Sequence, residues 1–215
     1  RESLYAQLIG DALTEVPMPK ALTELHTENS LNALNSLSFG RQLSSIYDVM
    51  NALDRLDSNV ISADYTTDEG KGWDHHRLIR NSIEPALHDV FGGGKGLDTL
   101  FSALGPLADK LVILVYGEFG RQLVANGDNG TDHGEGTSML MIGKQVQGGV
   151  YGELFPEAEI SRYGEPSAGI EGLTSFKQVL GTVCEQVKPG SGDAVIPGWR
   201  DSALEEGVDL SQIFV

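Results

Sequence analysis

Six consecutive residues, Leu111–Tyr116 (LVILVY), carry no charged or amide side chain, and they restrict the possible folds more than any other segment. The run is far shorter than the ~20 apolar residues that cross a bilayer, so its burial must come from protein. Its length and its interleaved Val and Ile predict a strand covered on both faces, the pattern of a central strand in a parallel sheet.

The segments around it alternate in period. Apolar residues recur at three and four spacing in ESLYAQLIGDALTEV and in FGRQLSSIYDVMNALDRL, which predicts helices, with a more polar helical stretch, ALTELHTENSLNALNSL, between them. Short strands are expected at 59–65 (NVISADY), 138–142 (SMLMI) and 148–154 (GGVYGEL). A helical stretch from near Asp74 meets Pro85, which is expected to bend or end it, and LDTLFSALGPLADK resumes helix. LTSFKQVLGTVCEQV, Leu173–Val187, closes the pattern as an amphipathic helix, with Cys184 among its apolar positions.

Strands alternating with helices predict an α/β layered fold with a mainly parallel central sheet flanked by helices. With 215 residues the chain suits one domain: a helical lead-in over 1–56, a core carrying the candidate site over 57–155, and a C-terminal helix and tail over 156–215.

Charge narrows the function classes. A net charge of -16 opposes nucleic-acid binding, which needs a basic face. A single cysteine excludes an internal disulfide framework and a cysteine-based zinc cluster. The GGGKG run (92–96) lacks the Ser or Thr of a phosphate loop and follows a helix rather than a strand, so it is read as a connection.

Three polar clusters follow or precede the expected strands, where ligands bind in open α/β sheets. The first is GWDHH, with Asp74, His75 and His76. Asp74 either caps the following helix or, on extended backbone, points the same way as His76 and shares an ion with it. The second is GEFGR, where Glu118 and Arg121 form either a local ion pair or part of a site. The third is GTDHGEG, where Asp132 and His133 are either a turn pair or ligands that the flanking glycines let approach an ion. His26 and His88 lie on helical stretches and read as structural or solvated. Carboxylates and imidazoles without thiolate suit Zn²⁺, Mn²⁺ or Mg²⁺, as one ion or as two about 3.5–4 Å apart. Arg121 is then placed to bind an oxyanion such as phosphate or sulfate.

These motifs, in this order, resemble the DUF1501 proteins, an uncharacterised bacterial family related to sulfatases and the alkaline phosphatase superfamily. Trp73, Asp74 and His76 match that family's Phe/Trp-Asp-Thr-His element, with His75 replacing Thr. Glu118, Phe119, Gly120 and Arg121 match its Glu-Phe-Gly-Arg. Gly130–Gly134 match Gly-Thr-Asp-His-Gly, and Gly148, Gly149, Tyr151 and Gly152 match Gly-Gly-x-x-Tyr-Gly. The resemblance extends over roughly residues 39–152. It implies Asp74, His76, Glu118 and His133 as metal ligands, with Asp132 either a ligand or the hydrogen-bond partner of one.

The implied activity is metal-dependent hydrolysis of a small phosphate or sulfate ester. A mutase or transferase reaction at the same site is a weaker possibility. The nucleophile of such enzymes comes from an N-terminal half that is expected to precede Arg1, and neither Thr137 nor Ser138 is assigned that role. The alternative is a non-catalytic binding or assembly domain that keeps the fold. The family's export signals imply a periplasmic or cell-envelope location. No membrane span is expected.

Overall fold

The structure, a computed structural model, describes residues 33–37, 40–51, 60–63, 73–152, 169–202 and 208–215. The helical periodicity is realised in the described residues. Helix α1 spans Gly40–Asn51 and buries Leu43, Tyr47 and Met50, one stripe at four and three spacing. Helix α2 spans Ile79–Phe91 and turns Ala86 and Val90 inward. Helix α3 spans Gly96–Leu104, buries Leu100 and Leu104, and tightens into a 3-10 helix over Gly105–Lys110.

Both α1 and α2 pack on α3. Their buried side chains, with Leu34, form the core: Leu34, Leu43, Tyr47, Met50, Val90, Leu100 and Leu104. Each such residue contributes about 1.5–3 kcal/mol by leaving water. Gly40 opens α1 because a Cβ there would lie 2.3 Å from the Leu34 carbonyl oxygen.

Pro85 does not end α2. The helix continues to Phe91, since losing one backbone hydrogen bond is offset by the packing of Ala86 and Val90 in the turns that follow Pro85. The GGGKG run is a short turn between α2 and α3, in which the Gly94 N–H donates to Asp98 Oδ2 at 2.7 Å.

The expected parallel sheet is not formed among the described residues. The run Leu111–Tyr116 contributes strand β1, Ile113–Val115, whose partner is β4, Leu140–Ile142. They pair antiparallel, with Ile113 opposite Ile142 and Val115 opposite Leu140. A second two-stranded ladder joins β2, Gly120–Arg121, to β3, His133–Gly134, also antiparallel. Parallel pairing needs a crossover of about a dozen residues, usually a helix. The chain between β1 and β4 holds no helix and doubles back instead.

The apolar faces of β1 are covered differently than expected. Leu111 and Ile113 pack against the helical core. On the opposite parity, Tyr116 meets Phe176 edge-to-face at 5.2 Å. Val60–Ala63 form no strand, and 148–152 are irregular. The remainder of those two expected strands, and the helices expected within 1–32, lie outside the described residues.

At the C-terminal end, helix α4 spans Phe176–Val187, inside the expected Leu173–Val187, and a short helix α5 spans Gly192–Val195. Trp199 fills the notch left by Gly181, where a Cβ would lie 2.3 Å from the indole. Cys184 is half-buried, and that burial pushes its thiol pKa up. The tail is tied to the turn after β4 through Gln147 N–H to Ile213 O (2.7 Å) and Val215 N–H to Gln145 O (2.9 Å). No helix among the described residues is long and apolar enough to cross a membrane.

Candidate metal centre

Along Trp73–Arg77 the side chains alternate in burial. Trp73 packs against the core and His75 is buried, while Asp74 and His76 face solvent. Asp74 does not cap α2, because that helix starts at Ile79. The first helical N–H groups are instead taken by the loop: Leu78 N–H bonds Asp128 O and Ile79 N–H bonds Asn129 O, both at 3.1 Å.

The chain at 129–134 is bonded on both sides. On one side Thr131 N–H reaches His75 O at 3.1 Å, and Asn129 bridges Arg77. On the other, Arg121 pairs with His133, and Gln122 N–H donates to Asp132 O at 2.9 Å. Glycine makes this close approach possible. A Cβ on Gly130 would stand 2.2 Å from the His76 carbonyl, and one on Gly120 would strike the Gly136 oxygen.

Three clusters that are distant in sequence therefore meet. Asp74 Oδ1 lies 3.5 Å from His76 Nε2, and His76 Nε2 lies 2.9 Å from His133 Nε2. One ligand atom from each of Asp74, His76 and His133 falls within 4.8 Å of the others, and this is the one such group among the described residues. The rings are held from behind: Phe119 stacks on His133 at 3.9 Å between centroids.

Asp132 sits on the other side of His76, its Oδ1 3.0 Å from His76 Nδ1. A carboxylate accepts there, so Nδ1 carries a proton, and Nε2 is the ring nitrogen that faces His133 and Asp74. Asp132 is thus the hydrogen-bond partner of a candidate ligand. Glu118 is exposed on the loop before β2 and stands outside the group.

Arg121 spends its guanidinium on protein. It donates to Asp74 Oδ1 at 3.0 Å, to the Thr131 carbonyl at 2.5 Å and to the Trp73 carbonyl at 3.5 Å. Its hydrogen bond is the main reason the Asp74 carboxyl is held below the usual carboxylate range. Asp132 is likewise held low, first by the amide of Asn126 and then by His76. Both carboxylates are therefore ionised at neutral pH and ready to accept.

His75 is the inward counterpart. Its Nδ1 lies 2.9 Å from Ser82 Oγ on α2, while its buried Nε2 has no partner. Burial pushes its pKa down, so the imidazole is neutral. It pins the ligand-bearing segment to α2.

Two imidazole nitrogens and one carboxylate oxygen, open on one side, fit a divalent ion. An ion bound at about 2.0–2.1 Å in tetrahedral geometry needs its nitrogens about 3.3 Å apart. The two Nε2 atoms need only part slightly from 2.9 Å. That nitrogen–nitrogen contact requires one proton shared between the rings, which a cation would replace.

Reasoning from sequence missed Asn126 and the stacking role of Phe119. Asn126 lies in ANGDNG, where the Asn-Gly pairs read as turn residues, and only the folded loop gives the side chain its partners. Residues 52–159 match the family described as a protein of unknown function, DUF1501, and the chain belongs to that family. No curated protein and no solved structure matches the chain.

Proposed function

We propose that the protein is a metal-dependent hydrolase of phosphate or sulfate esters at the cell envelope, with Asp74, His76 and His133 holding one divalent ion. The observation that carries this reading is the convergence of two imidazole Nε2 atoms and a carboxylate within 4.8 Å on an exposed face. A bound divalent ion there supplies Lewis-acid polarisation of an ester oxygen and lowers the pKa of water. Asp132 keeps the proton on His76 Nδ1. Arg121 orients Asp74 and keeps it ionised. Phe119 covers one face of His133. A single ion is favoured over a pair because Asp132 is engaged behind His76 and Glu118 stands apart.

A second reading, a binding or assembly domain that keeps the ion without turnover, is favoured by one observation. The guanidinium of Arg121 is committed to Asp74 and two backbone carbonyls, which draws its donors away from an anionic ester.

Metal analysis of purified protein tests the shared core of both readings. The expected result is about one divalent ion per chain, lost in His133→Ala. Absence of metal from both proteins overturns it. Turnover of aryl phosphate or aryl sulfate, abolished in Asp74→Ala, separates the enzyme from the binding domain.

A further inference from the structure

Asn126 has no conventional place in a metal site, yet its side chain uses all its principal hydrogen-bonding capacity at the candidate centre. Its Oδ1 accepts from the N–H groups of Asp128 and Gly130, both at 3.0 Å. Its Nδ2 donates to the His76 carbonyl at 2.9 Å and to Asp132 Oδ1 at 3.0 Å. The amide orientation is fixed by chemistry: one end faces only donors and the other only acceptors. Asn126 N–H also bonds Gly130 O at 2.9 Å, closing the loop on itself.

Asp132 Oδ1 consequently receives two donors, Asn126 Nδ2 and His76 Nδ1, each at 3.0 Å. Asn126 thus grips His76 twice, directly at its backbone and through Asp132 at its ring. We propose that Asn126 is a positioning residue that locks the Asp132 carboxylate onto His76 Nδ1, thereby fixing His76 as an Nε2 ligand and tuning the cation affinity of the centre. The proposal rests on the metal-binding reading above for its affinity consequence, but its tautomer consequence stands in the metal-free protein.

The two halves of the amide have separable jobs. The accepting oxygen builds the turn, and the donating nitrogen positions Asp132 and His76. Asn126→Asp keeps an oxygen for the two backbone N–H groups and removes both donations. It also sets a second carboxylate against Asp132, which turns the latter away from His76. The added negative charge by itself attracts a cation, so a fall in affinity reports the lost donors.

The test uses the full chain, metal-free and with Zn²⁺. Nitrogen NMR of labelled histidine in the metal-free protein at neutral pH is expected to show His76 protonated on Nδ1 in the wild type. In N126D a mixture of tautomers is expected, with circular dichroism unchanged. Zn²⁺ affinity, measured by competition with a chelator, is expected to fall about 10–100-fold, the usual effect of disturbing a ligand's hydrogen-bond partner. An N126D protein with wild-type tautomer and wild-type Zn²⁺ affinity overturns the proposal and leaves Asn126 as a turn residue. If N126D does not fold, the wild type still decides: His76 protonated on Nε2 overturns it.

The two arms fail separately. A wild type that binds no Zn²⁺, yet loses its His76 tautomer in N126D, sinks the metal reading while Asn126 keeps its positioning role. A wild type that binds Zn²⁺ as tightly as N126D, with the same tautomer, sinks the role of Asn126 alone.

Discussion

The helical core and the candidate metal centre are stabilised by opposite means. Around Leu100 and Tyr47 the chain is held by apolar side chains removed from water, contributed by α1, α2 and α3. In the loops around His76, no large apolar side chain among the described residues is buried. The loops are held by amide, carboxylate and guanidinium groups bonding to one another and to backbone, and by glycines that permit close approach. Apolar packing is undirected and proportional to area, whereas the polar network is directional and fails if one partner is missing. Trp73 and His75 join the two regions: both turn inward while their neighbours Asp74 and His76 turn out.

The contrast makes the two regions separable by substitution. The largest effect on stability is expected in the core. Leu100→Ala removes a side chain with no exposed surface and should cost about 2–5 kcal/mol, read from denaturant unfolding, while the folded fraction retains its Zn²⁺ affinity. Loss of affinity in that folded fraction would merge the two regions into one unit.

The reverse experiment acts on the polar side. Asp132→Asn keeps the shape but weakens the acceptor that holds His76 Nδ1. Zn²⁺ affinity should fall about 10–100-fold with the unfolding midpoint unchanged. A large drop in midpoint with intact affinity would mean that Asp132 serves the fold.

The smallest effect concerns acid, and it compares the core with a carboxylate-held turn elsewhere. Glu185 accepts from Gly190 N–H at 3.0 Å and Gly192 N–H at 3.1 Å, which hold its carboxyl below the ordinary value of 4.5. A depressed carboxyl stabilises the folded form fully above its unfolded pKa and loses that contribution as pH falls through the folded value. Protection of the Gly190 and Gly192 amides, relative to the intrinsic exchange rate at each pH, should therefore fall below pH 4.5, ahead of the amides of α1 and α3. Simultaneous loss of protection in all of them would show that burial and carboxylate bonding are not independent here.

Helices α1 and α4 were legible because their signal is local: the residues that share a face lie three or four apart in the chain. The convergence of Asp74 and His76 was one of two readings the sequence left open, beside a helix cap for Asp74, and the fold chose between them. Pairing was not legible. LVILVY is apolar on both faces whether it lies in a parallel sheet or between a helical core and Phe176, and sequence period does not record which element covers it.

The candidate site divides along the same line. Residue type alone determined that a divalent cation would find carboxylate and imidazole in this chain, and no thiolate cluster. Only the tertiary structure decided which of them converge. It brought His133 to His76, set Asp132 behind it, turned Arg121 onto Asp74 and left Glu118 outside. The physical reason is range. Helix faces are set by neighbours along the chain, whereas ligand convergence depends on contacts between segments more than fifty residues apart, fixed by glycines that let backbones touch and by the side chain of Asn126.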